Sequence, residues 1–339
     1  MKKKKNFNPI YKLQSSDLWK KGFNKMFYSA FRKIFFFFQK FGIHVIPNHY
    51  YCPVPDTRTL TDYIFHRKTQ LIGINVNERE QLELLNSFEI NFKREYEKIP
   101  RLKTKIQYQY YTTSPNFKSV DAEILYCMIR HFKPKKIIEI GAGSSTFCSA
   151  QAILKNKEEE SKYNCDLVSI EPFPNKIFKL RFPGFTRLIP KEVQKVPISE
   201  FKKLQDNDIL FIDSSHVLKM GGDVQYEILE VLPRLNNGVI VHIHDILLPA
   251  EYPKDYPFKY FRFWTEQYLL QAFLAFNNNF KILWMSKYMH LNHPEKLEQA
   301  FYSLKLDRIE LSKTELNLSK KDSPIPNAWP CSFWMKKIN

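Results

Sequence analysis

From Asp121 onward, short apolar runs alternate with segments of helical spacing, and this rhythm constrains the fold more than any other feature. Strands are expected over 136–140, 166–170, 185–189, 208–212, 238–243 and 280–284, with a last one over 332–335. Helices are expected over 122–131, 146–155, 224–235 (ended or kinked at Pro233) and 263–276. Strands that are apolar throughout are buried on both faces, and the helices between them supply the cover. The expected class is therefore α/β, a doubly wound and mostly parallel sheet.

Residues 1–115 read differently and are expected to form a basic, aromatic extension or lid on a domain spanning 116–339. Lys and Arg number 52 against 35 Asp and Glu, a net charge of +17. Residues 1–50 hold eleven Lys or Arg against one acid, Asp17, so they carry +10 and the remainder +7. Across the whole chain the excess fits a compositional bias toward Lys, Asn, Ile and Phe. In the head it could serve anionic lipid, nucleic acid or an acidic polymer. Residues 18–41 keep a helical spacing of Met26, Phe27, Ala30, Ile34, Phe37 and Phe38. Packing onto the domain behind is preferred there to an interfacial role. The apolar run Ile34 to Phe38 is bracketed by Lys33 and Gln39-Lys40, far short of the ~20 residues of a membrane span. Three Pro exclude a helix over 46–56, and 77–97 is expected to be a charged helix.

Five Cys at wide spacing, with no CxxC, point to free thiols in a reducing compartment rather than a disulfide scaffold or a Cys-ligated zinc. Lys2–Lys5 is followed by a mostly polar stretch, not an apolar signal region. A cytoplasmic chain is expected, with residues 1–45 a candidate contact to an anionic membrane surface.

In such sheets ligands bind beyond the carboxyl ends of the strands. The first strand ends in Glu139-Ile-Gly141-Ala142-Gly143-Ser144, two glycines that allow a tight turn and close approach to a ligand. Glu139 would repel a pyrophosphate and suits a cationic cofactor. Glu171, directly after the second strand, is placed to accept ribose hydroxyls. The fourth strand ends in Asp213-Ser-Ser-His216 and the fifth in His244-Asp245. Four such groups at neighbouring strand ends permit either an oxygen–nitrogen metal site or a metal-free general base. Alternation puts His242 and His244 on one face and Asp245 on the other. Residues 247–262, with three Pro and five aromatics, are expected to form a shaped lid or to pack on the first 115 residues.

Ile137-Ile-Glu-Ile-Gly-Ala-Gly-Ser144, Glu171, Phe211-Ile-Asp213 and the run Val241-His-Ile-His-Asp-Ile246 together resemble the class I S-adenosylmethionine-dependent methyltransferases. The resemblance covers about 121–290. It implies a Rossmann-like sheet of seven strands, the last antiparallel, with S-adenosyl-L-methionine over Glu139, Gly141, Ala142, Gly143, Ser144, Glu171 and Asp213. Ser145 stands where many members have a third Gly. Asp213, His244 and Asp245 stand where catechol O-methyltransferases and macrolide-sugar methyltransferases hold a divalent metal such as magnesium.

The expected activity is O-methylation of a small-molecule or sugar acceptor, with His216 or His244 as base and Asp213 or Asp245 orienting it. The alternatives are a nucleic-acid methyltransferase or RNA-binding protein, and a membrane-surface component of polysaccharide or lipid biosynthesis. Nucleic acid is disfavoured because Asp213-Ser-Ser-His216 stands where a nucleic-acid methyltransferase carries its catalytic motif.

Overall fold

A computed structural model describes residues 24–48, 50–114, 116–307 and 329–339. Contacts divide the chain into two units, Met1–Ile64 and Phe65–Asn339. In the first, helix α1 spans Asn24–Gln39, and Asp56 caps the turn Thr57–Thr59 by accepting from Arg58 N at 3.0 Å. Residues 18–23 of the expected helix, and the Lys2–Lys5 run, lie outside the described residues. No described helix is long and apolar enough to cross a membrane.

The second unit is built on seven strands in the order β3-β2-β1-β4-β5-β7-β6. They span Lys136–Ile140 (β1), Asp166–Ile170 (β2), Arg187–Ile189 (β3), Ile209–Ile212 (β4), Ile240–Ile243 (β5), Phe280–Met285 (β6) and Phe333–Lys337 (β7). β1 to β5 run parallel, and β7 is antiparallel to both neighbours. Within β1 the side chains divide between two cores. Ile137 joins the face covered by helices α2 (Glu78–Tyr96) and α3 (Asp121–Phe132), while Ile138 and Ile140 join the face covered by Val224, Ile228 and Leu270. Further helices are α4 (Ser144–Glu159) and α5 (Glu266–Leu274).

Contacts divide the chain between Ile64 and Phe65, whereas the sequence places a boundary at 115; α2 sends Leu85 and Phe88 into the main core. One expectation changes. Residues 224–235 are not one α-helix. Asp223–Tyr226 is α, Glu227–Val231 is π and Leu232–Arg234 is 3-10, since Pro233 lacks an N–H and its ring collides with the preceding turn. Residues 247–262 pack on the first 115 residues, one of the two readings expected for them, and form a fastened strap: Ala250 bridges to Lys68, Thr69 N donates to Pro249 O at 2.8 Å, and Tyr252 and Tyr256 are buried with Leu247 and Cys331. All five cysteines are free.

Candidate functional site at the carboxyl ends of β1, β2 and β4

Strand order reverses direction at β1, which pairs with β2 on one side and β4 on the other. A crevice must open there. A cleft of about 510 Å³ does so, lined by Gly141, Glu171, Phe173, Asp213 and Lys219 among others. Its lining carries four carboxylates, Glu171, Glu192, Asp213 and Asp223, against one ammonium, Lys219. A cationic ligand suits that balance and a pyrophosphate does not.

Gly141 has φ +96°, and a Cβ there would lie 2.6 Å from the carbonyl oxygen of Asp213. Only glycine lets the loop after β1 come so close to the end of β4. Gly143 is extended at φ −168°, and a Cβ there would meet nothing within 4 Å, so its backbone faces open space. Ala142 packs toward the core, and Ser144 opens α4 with its hydroxyl 2.5 Å from that of Ser114. Glu139 is buried rather than lining the cleft. It accepts from Ser145 Oγ at 2.6 Å and Ser169 Oγ at 3.0 Å, so it braces the loop, and burial pushes its carboxyl up to about 7. Ser145, out of place in a glycine fingerprint, thus has a partner. Glu171 accepts from Phe173 N at 2.7 Å and stays in the cleft wall.

At the other end of the cleft His216 Nε2 lies 3.3 Å from Asp213 Oδ1 and 3.5 Å from Asp245 Oδ2, while Nδ1 lies 2.8 Å from Glu266 Oε2. His216 and Asp245 both adopt left-handed backbone, φ +60° and +57°, which non-glycine residues hold only where surrounding contacts enforce it. The enforcing contacts are visible at His216, whose carbonyl accepts from Thr265 N and Glu266 N and whose ring leans on Trp264 at 4.3 Å. Burial opposes charge on His216. The bonds to Asp213 and Glu266 and the field of Asp245 outweigh it and hold the ring well above the ordinary histidine range. Burial likewise pushes Asp213 up, but His216 and His244 bring it below the usual carboxylate range.

The oxygen–nitrogen set that converges is therefore Asp213, His216 and Asp245, with ligand atoms within 4.8 Å of one another. His244 groups instead with Asp121 and Cys331. The reason is the pleat: His242 and His244 lie on one face of β5, among Phe211, Phe117 and Trp334. The expected metal set was Asp213, His244 and Asp245; the donors that converge are Asp213, His216 and Asp245. His216, expected as a base, faces three carboxylates that favour its charged form. Glu266 was not anticipated, because an acid in the first turn of a helix ordinarily answers only the helix dipole.

Comparison with known proteins gives three likenesses. A family model described as a methyltransferase domain matches residues 138–246. An uncharacterized protein of Archaeoglobus fulgidus is 30% identical over 173 residues, 48% of this chain and 75% of that protein. A Plasmodium falciparum structure, a candidate protein-L-isoaspartate O-methyltransferase in complex with S-adenosyl-L-homocysteine, is 15% identical, covers 52% of this chain and 86% of its own, and superposes with a TM-score of 0.30.

Proposed function

We propose that this chain, which belongs to the class I S-adenosylmethionine-dependent methyltransferases, methylates a hydroxyl oxygen of a small-molecule or sugar acceptor. The observation that carries this is the double position of Asp213, which lines the cleft and also contacts His216 beside Asp245. S-adenosylmethionine, when bound, supplies a methyl group already activated on a sulfonium. Gly141 and Gly143 give the backbone its close approach, with Ala142 and Ser144 completing the turn. Glu171 is suited to hold ribose hydroxyls, and the acidic wall favours the cofactor's positive charge.

What remains for the protein is to align the acceptor hydroxyl and take its proton. Asp213 and Asp245 are partly exposed while His216 is buried behind them. We assign proton acceptance to Asp245 or Asp213. His216, held protonated and anchored by Glu266, fixes both carboxylates. Trp264 leaning on His216, and Arg262 stacked over Tyr256 and Trp264 at 5.5 and 5.1 Å, offer flat surfaces for a sugar or aromatic ring. The acidic cleft speaks against a nucleic-acid acceptor.

Asp245→Asn tests this directly. It should keep the thermal shift with S-adenosylhomocysteine, roughly 2.7 kcal/mol at 100 times the dissociation constant. Methyl transfer across a panel of hydroxylated acceptors should fall about 10²- to 10⁴-fold. Turnover within a few-fold of wild type would remove Asp245 from the role.

A divalent cation held by Asp213, His216 and Asp245 is a second possibility, favoured by their convergence. Chelation that abolishes turnover, with recovery on adding magnesium, would select it. The basic, aromatic α1 supports attachment to an anionic lipid surface.

A further inference from the structure

Next to the methyl-transfer cluster lies a second group of donors that methyl transfer leaves unused. We infer that Asp121, His244 and Cys331, whose ligand atoms lie within 4.8 Å of one another, form a buried, thiolate-containing divalent-cation site of the zinc class. They arrive from three separate places: the first residue of α3, the end of β5 and the turn before β7. Cys331 Sγ lies 3.2 Å from Asp245 Oδ1, 3.6 Å from Asp121 Oδ2 and 3.9 Å from His244 Nε2. Zinc bonds of about 2.0–2.3 Å in a tetrahedron set ligands roughly 3.3–3.7 Å apart, so the separations of Cys331 from Asp121 and His244 are close to tetrahedral edges.

Burial sharpens the case. Asp121 is 0% exposed, Cys331 3% and His244 4%. A carboxylate so deeply placed is costly unless its charge is met. Asp121 accepts from Cys331 N and Ser332 N, both at 2.9 Å, the kind of bonds that orient a ligating carboxylate. The His244 ring is held by Phe117 at 5.0 Å and His242 at 5.7 Å. Buried Lys287 adds one positive charge near Asp121 and Cys331. A carboxylate and a thiolate match the two charges of a divalent ion.

Sulfur, nitrogen and oxygen together select zinc over magnesium, which separates this site from Asp213 and His216. Binding replaces the proton on Cys331 Sγ with a sulfur–metal bond and releases that proton to solvent, so affinity rises with pH. The ion would sit beside Asp245, whose other oxygen faces His216, and would tie the segment before β7 to the end of β5.

The test uses the full chain freed of metal by chelation, with Co²⁺ as the probe. A thiolate-to-cobalt charge-transfer band should appear, be displaced by Zn²⁺, vanish in Cys331→Ser and persist in Asp213→Asn. His244→Gln should shift the visible cobalt bands, a second variant should Cys331→Ser not fold. No band in the wild type, or one unaffected by Cys331→Ser, overturns the site. Loss in Asp213→Asn would assign the ion to the neighbouring cluster and overturn it equally. S-adenosylhomocysteine binding, followed in parallel, reports on methyl-transfer competence separately.

Discussion

Gly141 and Gly143 do different work, and alanine separates them. At Gly141 the positive φ and the 2.6 Å approach to Asp213 O both forbid a Cβ. Gly141→Ala should cost more than about 1 kcal/mol in a thermal melt and abolish the shift with S-adenosylhomocysteine. Gly143→Ala should melt within about 1 kcal/mol of wild type, since its backbone is extended and nothing crowds it. It should nevertheless weaken the cofactor, because the new methyl enters the open space; equal affinity would show that the cofactor lies elsewhere. Glu139 adds a pH signature. Burial raises its carboxyl from 4.5 to about 7, so between those values the folded chain keeps a proton the unfolded chain has lost, and stability falls as pH rises through that window. The loss is of the order of 3 kcal/mol, and Glu139→Gln should flatten the decline in melting temperature between pH 5 and 7. Glu171 and Asp213 were readable because each directly follows an apolar strand, and the topology fixes where strand ends lie. Glu266, Asp121 and Cys331 were not, since each reaches its cluster from far along the chain. His244 was grouped with Asp213 by proximity of strand ends; it is close enough to act on Asp213, but its Nε2 lies beside Cys331 at 3.9 Å.

Elements followed the same division between local and distant causes. β1 and β2 match the expected bounds, because a short apolar run between polar residues leaves little freedom in where a buried strand begins or ends. The short helices Lys176–Leu180, Ile198–Phe201, Ser286–Asn292 and Pro294–Ala300 escaped notice, since segments of four to seven residues show too few turns to establish a period. The π segment Glu227–Val231 has no sequence signature of its own. It accompanies a buried Glu227 that accepts from Ser214 Oγ at 2.9 Å, behind the acceptor side of the site. α1 carries the element-scale prediction. Phe36 and Phe37 are more than half exposed, beside Arg32 and Lys33. Each Phe buried in an acyl layer contributes roughly 1.5–3 kcal/mol, and each basic residue near an anionic surface about 1. Replacing Phe36 and Phe37 by Ser should therefore lower partition onto anionic vesicles at least tenfold while the melt is unchanged. Equal partition of both proteins, or equal binding to neutral vesicles, would rule out lipid docking through this face.

At the scale of the whole molecule the last strand governs the rest. β7 lies inside the sheet, between β5 and β6, although it is last in sequence. Among the described residues β6 pairs with no other strand, so its place depends on β7 arriving. Phe333, Trp334 and Met335 are each at most 1% exposed, and Trp334 packs on His242 at 4.6 Å. Burying three such side chains contributes roughly 5–9 kcal/mol, against a typical total stability of about 5–15. The turn before β7 also supplies Cys331, whose N–H and Sγ reach Asp121 and whose Sγ reaches Asp245. A chain ending at Pro330 should therefore lose its cooperative melt and its response to S-adenosylhomocysteine together, even though the cleft is lined by residues 140–223 alone. Adding a peptide of residues 329–339 in trans should restore part of both, because the missing strand is a single edge-to-edge insertion. A truncated chain that still melts cooperatively and binds the cofactor would mean that β1 to β5 and their helices form a self-sufficient core, with β6 and β7 an addition to it.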